Sequence, residues 1–191
     1  GLKYFILGAF SSGLLLFGIS LVYGFTGTTN FEILGKLLLQ FDLNQFYDNV
    51  IHFNFGLQDR LALGMVFIMI GLLFKLTAAP FHMWAPDVYE GAPTSISLFF
   101  AVVPKIGILS VFIKLYYGLF LDYIELWQSI TICCGFFSVL VGTLGALQQY
   151  KIKRFLAFSS ISHVGYLLIG FSTGTSLGVQ SILFYIVVYT V

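Results

Sequence analysis

Two apolar stretches, 61–79 and 94–115, decide most of what this chain can fold into. Each is about as long as a helix that crosses a bilayer, some 20 residues. Each also carries a lysine in its interior, Lys75 in the first and Lys105 in the second. A lysine at mid-depth costs about 2.5–3.5 kcal/mol on insertion scales. The chain has only nine basic residues, so two of them at that depth point to use. The default use of a buried membrane lysine is an ion or proton pathway.

Composition agrees. The 191 residues are 59% hydrophobic and 9% charged, against about 25% charged in a soluble domain. This is an all-α polytopic membrane protein, a helical bundle with a proline-broken helix and about six spans. A formal charge of +1 gives no support to a nucleic-acid partner; membrane lipids are the expected surroundings. Cys133 and Cys134 are neighbours, so on a helix they point about 100° apart. No histidine or carboxylate stands at metal-ligand spacing from them, and both read as small packing residues. No phosphate-cradling glycine loop or haem, flavin or iron–sulfur ligation pattern is present. Any redox chemistry therefore happens in other chains. There is no initiator methionine, and 181–191 is half a span, which reads as an internal piece or one product of a split protein. The 22 phenylalanines and 11 tyrosines carry the bias of an AT-rich genome, as many mitochondrial genomes are.

The whole chain reads as one transmembrane domain. Spans are expected at 4–23, 57–79, 94–116, 127–147, 155–171 and, cut short, 177–191. Gly8, Ser11, Ser12, Gly13 and Gly18 permit close helix packing in the first. Residues 24–30 form a turn, and 31–40 an amphipathic interfacial helix with apolar residues at 31, 34, 37 and 38. Residues 42–59 are a polar loop that holds His52. Pro80, Pro86 and Pro93 then exclude a regular helix, since proline lacks a donor and clashes with the carbonyl four residues back. His82 sits in this broken segment in a structural or interfacial role. Pro104 interrupts the third span, and 118–126 is a short connection. Lys151, Lys153 and Arg154 form the densest basic loop, which belongs on the cytoplasmic or matrix side. Alternation puts the N-terminus and 87–93 on that side as well.

The chemistry sits on the apolar spans. Pro80 denies the Leu76 carbonyl its helical donor beside Lys75, and Pro104 does the same to the Phe100 carbonyl beside Lys105. Broken helices near the midplane are a recurring transporter device. Lys75, Lys105 and His163 are the proton-relay candidates, and the plain alternative for each lysine is a structural ion pair. Histidine titrates near neutral pH. Ser159, Ser162, His163 and Tyr166 share one helix face by spacing, a polar stripe that lines the axis. Lys114 is near a span end and snorkels to the headgroups.

The run FKLTAAPFHMWAPDVYEGAPTSISLFFAVVPK, residues 74–105, resembles the subunit 2 family of respiratory complex I, the bacterial N subunit. GLKYFILGAFSSGLLLFGISLVYGFTGTT and KIKRFLAFSSISHVGYLLIGF are similar to other stretches of that family. The resemblance implies an antiporter-like protein of fourteen helices in two inverted halves, of which this chain holds the sixth to eleventh. Lys75 then matches the lysine on the broken helix, Lys105 the connecting lysine and His163 the central-axis histidine. The family's glutamate partner and its terminal lysine fall outside the chain. Pro104 stands where the family has serine.

The implied function is proton translocation in the membrane arm of NADH:ubiquinone oxidoreductase, in the mitochondrial inner membrane or a bacterial plasma membrane. Other membrane-arm subunits are the partners. This chain holds no cofactor; NADH, FMN, iron–sulfur clusters and ubiquinone belong to partner subunits. Two alternatives stay open: a subunit of a multi-subunit cation/proton antiporter without redox coupling, and a structural membrane scaffold.

Overall fold

The computed structural model describes residues 1–45 and 57–190, without the side chains of 39–45, 57–59 and Asp122. Helices account for the regular structure, and the described residues contain no strand. In order they are α1 (Leu2–Thr26), α2 (Phe31–Gln45), α3 (Leu57–Leu76), α4 (Ala85–Gly91), α5 (Thr94–Gly118), a 3-10 turn (Leu121–Tyr123), α6 (Ile124–Leu147), α7 (Ile152–Phe171) and α8 (Ser176–Thr190). By length and composition α1, α5, α6 and α7 are able to cross a membrane. That is four of the six expected spans. Of the other two, α3 carries Asp59, Arg60 and Lys75 in 20 residues, and α8 has only 15.

Several boundaries differ from the sequence expectation. The amphipathic helix runs on to Gln45, with Leu34 and Leu38 buried on its inner face. The polar loop expected from 42 therefore starts later, and its centre, with Asp48 and His52, lies outside the described residues. Helix α3 stops three residues before 79. Helix α6 begins inside the expected 118–126 connection. Pro104 does not interrupt its span: α5 is one helix through it. A single missing N–H is tolerated where neighbouring helices and local adjustment re-satisfy the freed carbonyl. The proline-broken segment holds a short helix, α4, where the sequence reading expects irregular chain. Pro86 starts it, because a proline in the first helical turn loses no bond that exists there, and Pro93 caps α5.

Two antiparallel pairs, α1 with α3 and α6 with α7, are packed nearly backbone to backbone. A Cβ on Gly18 would stand 2.7 Å from the Gly64 carbonyl oxygen, and one on Gly165 2.8 Å from that of Gly135. Only small residues allow this approach, and in lipid it replaces the missing hydrophobic drive between helices. Helix α5 lies between the pairs and touches α3, α4, α7 and α8. At its C-terminal end Phe112, Tyr116, Phe120, Trp127 and Phe171 form a buried aromatic cluster. The polar tips there are satisfied: Tyr116 donates to Met65 O at 3.0 Å, and Trp127 Nε1 to Phe120 O at 2.8 Å.

The opposite end is charged. Lys3 pairs with Asp87, Lys151 with Glu90, and Arg154 with both acids. Lys153 donates to Ala92 O at 2.8 Å. The start of α1, the segment around α4 and the basic loop thus meet on one side, as the charge pattern predicts. Lys3 and Arg154 hold the Asp87 carboxyl below the usual carboxylate range, the Lys3 hydrogen bond being the largest cause.

Candidate functional site

Pro80 shapes the first part of the site. Its ring excludes a helical bond to the carbonyl of Leu76, and Leu76 is the last residue of α3. The chain turns off through Thr77 at φ 65. Thr77 N–H donates to Phe74 O at 3.1 Å and Ala78 N–H to Leu73 O at 3.0 Å. This pair of bonds is a Schellman closure, whose left-handed residue is usually glycine. A β-branched residue there costs about 1–3 kcal/mol. Two neighbours fix the turn. Ser138 Oγ on α6 accepts the Ala79 N–H at 2.7 Å and donates to Cys134 O at 2.6 Å. Trp84 Nε1 donates to Phe74 O at 3.2 Å.

Lys75 is in the last turn of α3, not in the middle of a helix. It still lies deep, because the cavity it lines is also walled by Ser11 and Ser12 near the middle of α1 and by Pro104 near the middle of α5. That cavity is about 460 Å³, and Phe74, Trp84 and Phe100 complete its apolar wall. Within this chain the Lys75 side chain is exposed, into that space.

Lys105 faces the other way. It is 4% exposed. Its Nζ donates to Ser160 O at 3.2 Å and to Ser160 Oγ. Tyr189 stands over the ammonium, 5.3 Å from Nζ to ring centroid. Among the described residues no carboxylate pairs with Lys75 or Lys105; the ion pairs are those of the charged end.

A second cavity of about 530 Å³ lies between α5, α7 and α8. Ser97, Ser159, Ser160, His163, Tyr185 and Tyr189 line it, and Lys153 stands at its charged end. His163 Nδ1 is hydrogen-bonded to Tyr185 OH at 2.6 Å, and its ring is 5.1 Å from that of Tyr189. The polar stripe on α7 splits. Ser159 and His163 reach the cavity. Tyr166 does not line the cavity: it is 48% exposed, with its ring 6.5 Å from that of Tyr185. Ser162 does not line this cavity: it is buried against α6, where a Cβ on Gly142 would stand 2.5 Å from its nitrogen. Its Oγ donates to Ser159 O at 2.7 Å. Ser160, Tyr185 and Tyr189 are among the polar residues that helical spacing alone does not single out.

The remaining candidates are peripheral. Lys114 Nζ lies 5.4 Å from the centroid of the Phe31 ring. His82 is half-buried in the turn before α4. Cys133 is exposed and Cys134 buried, both free. Among the described residues no three His, Cys, Asp or Glu side chains converge as a metal site.

Over all of residues 1–191 the chain matches the family described as NADH:quinone oxidoreductase/Mrp antiporter, transmembrane. The chain belongs to this family. It is 52% identical over 190 residues to NADH-ubiquinone oxidoreductase chain 2 of Marchantia polymorpha, covering 99% of this chain and 37% of the relative. It is 49% identical over 191 residues to NADH-quinone oxidoreductase subunit N of Pelagibacter ubique, covering 100% and 37%. The chain thus spans a little over a third of the length of these relatives. Among solved structures it is similar to a chain of respiratory complex I from Thermus thermophilus with bound aureothin, at 32% identity and TM-score 0.67, covering 97% of this chain and 36% of that one. It shares the fold of a chain of the Mrp complex from a Dietzia species at TM-score 0.80 and 22% identity, covering 98% and 32%. In this member of the family Lys105 and His163 sit on one side of α5 and Lys75 on the other.

Proposed function

We propose that this chain is part of a proton-translocating, non-redox subunit in the membrane arm of an NADH:ubiquinone oxidoreductase of the mitochondrial inner membrane. The identity to chain 2 and subunit N relatives supports the assembly. One observation carries the chemistry: Lys105 is desolvated with no carboxylate beside it among the described residues, and it is bonded to a hydroxyl that lines the His163 cavity. A lysine so placed has its charge balanced by little except dipoles. A further unit charge arriving about 8 Å away changes its energy by about 2 kcal/mol at an effective dielectric of 20. That exceeds one pKa unit, so it biases where the Lys105 proton rests. Lys75, across α5 in the first cavity, is the second lysine of this relay. His163 takes part from the second cavity, with Ser159 on its wall. NADH, FMN, iron–sulfur clusters and ubiquinone belong to partner subunits, and quinone reduction drives the charge movement from there. The likeness to the Mrp complex is one of fold and carries no argument for cation exchange.

The test is Lys105→Ala in the full-length subunit of the assembled complex, reconstituted in vesicles. NADH-driven acidification should fall and quinone reduction should slow with it. Undiminished acidification by a normally assembled complex would reject this reading.

A further inference from the structure

Lys105 does not itself line the cavity that holds His163. Among the described residues, the hydrogen bonds of its ammonium go only to Ser160. Ser160 in turn lies on the cavity wall and shares a hydrogen bond of 3.1 Å with Tyr189 OH. We infer that Ser160 and Tyr189 form a two-hydroxyl bridge that carries the proton between Lys105 and the His163 cavity.

The donor inventory gives the bridge a direction. A lysine ammonium only donates, so Ser160 Oγ accepts from it. The single Ser160 proton is then left for the Tyr189 oxygen. The Tyr189 proton is left in turn for the cavity that its side chain lines. The chain is polarised outward from Lys105 while Lys105 is charged. Neutral Lys105 presents a lone pair, and the same bonds reverse. The ring adds a second role: with its face 5.3 Å from Nζ it stabilises the charged state by a cation–π contact.

The transfer balances in atoms. An N–H bond of Lys105 breaks as a proton joins Ser160 Oγ. The Ser160 hydroxyl proton passes to Tyr189 OH, and the Tyr189 proton passes to water in the cavity. Lys105 is left neutral, both hydroxyls are regenerated, and the water carries the proton toward His163. The bridge rests on the proposed proton-translocating role of Lys105. It adds two residues to it, from a bond pattern that helical periodicity does not reveal.

The experiment compares Ser160→Ala, Ser160→Thr, Tyr189→Phe and Lys105→Ala in the full-length subunit of the assembled complex. The readout is NADH-driven proton uptake into vesicles. Tyr189→Phe keeps the ring over the ammonium and removes only the hydroxyl. Positioned proton-transfer groups contribute about 10²–10⁴-fold, and water replaces part of a lost hydroxyl. Ser160→Ala and Tyr189→Phe should therefore each slow pumping by about ten-fold or more, and Ser160→Thr should restore it. Full pumping by Tyr189→Phe beside a crippled Lys105→Ala would overturn the bridge and leave the larger reading standing. Full pumping by Lys105→Ala would overturn both.

Discussion

Gly142→Ala should damage the site without touching any residue in it. An added Cβ at 142 would stand 2.5 Å from the nitrogen, 2.7 Å from the Cβ and 2.8 Å from the Cα of Ser162. Carbon contacts are comfortable at about 3.5–4.0 Å, so α6 and α7 must part by about 1 Å. Two of the three atoms it meets are backbone, and no rotamer change relieves the overlap. Overpacking of this kind costs about 1–3 kcal/mol. The displaced helix also carries Ser160 and His163. Moving it by about 1 Å away from α6 drives it against α5 and α8, and shifts Ser160 from the position that gives the 3.2 Å bond from Lys105 to Ser160 O. The assay is thermal inactivation of the membrane-extracted complex together with its pumping rate. Gly107→Ala on α5, where no described atom lies within 4 Å of the added Cβ, is the control. It should be neutral or slightly stabilising, as alanine favours a helix by about 0.5–1 kcal/mol. Equal thermal stability and equal pumping for Gly142→Ala and the control would refute the packing argument.

Ser138→Ala should leave the Ala79 N–H buried without an acceptor, at about 1–3 kcal/mol. It should lower pumping through a displaced Lys75 turn, while Ser138→Thr retains both stability and rate in the same assays. For Asp87 the sign follows from its lowered pKa. The stability it contributes is complete above its unfolded value near pH 4 and is lost as pH falls through the lower, folded value. Asp87→Asn should thus be less stable than the parent at pH 7, with the gap closing below about pH 4. The gap should be under about 1 kcal/mol, because the carboxylate side chain is 42% exposed and water screens it. A gap that widens on acidification would contradict the ion-pair assignment.

The helices, and which of their ends meet, were legible for simple reasons. Long apolar runs allow little but helix, and Pro80 names the carbonyl at which α3 has to stop. Alternation puts the basic loop at 151–154 at the same end as the N-terminus and 87–93, and there the structure pairs it with Asp87 and Glu90. Helix α4 was hidden because Pro86 reads equally as a breaker and as a first-turn residue, and only the fold chooses. The site was half legible. Periodicity groups Ser159, Ser162, His163 and Tyr166, but it does not say what lies opposite each flank of α7. With α6 on one flank and α5 and α8 on the other, Ser162 is turned into packing. Ser160, one residue off the stripe, meets Lys105. Lys75 was read as mid-helix because its apolar run continues to Ala79, past the point where the backbone has already left the helix.

The central claim is that Lys105 gives up and regains a proton during turnover, and Lys105→Arg tests it most directly. Guanidinium keeps the charge, donates to the same Ser160 oxygens and stays protonated at every working pH. In an assembled complex, reconstituted and driven by NADH, the account predicts that Lys105→Arg pumps poorly, close to Lys105→Ala. Full proton pumping by Lys105→Arg would contradict it and leave Lys105 a fixed structural charge.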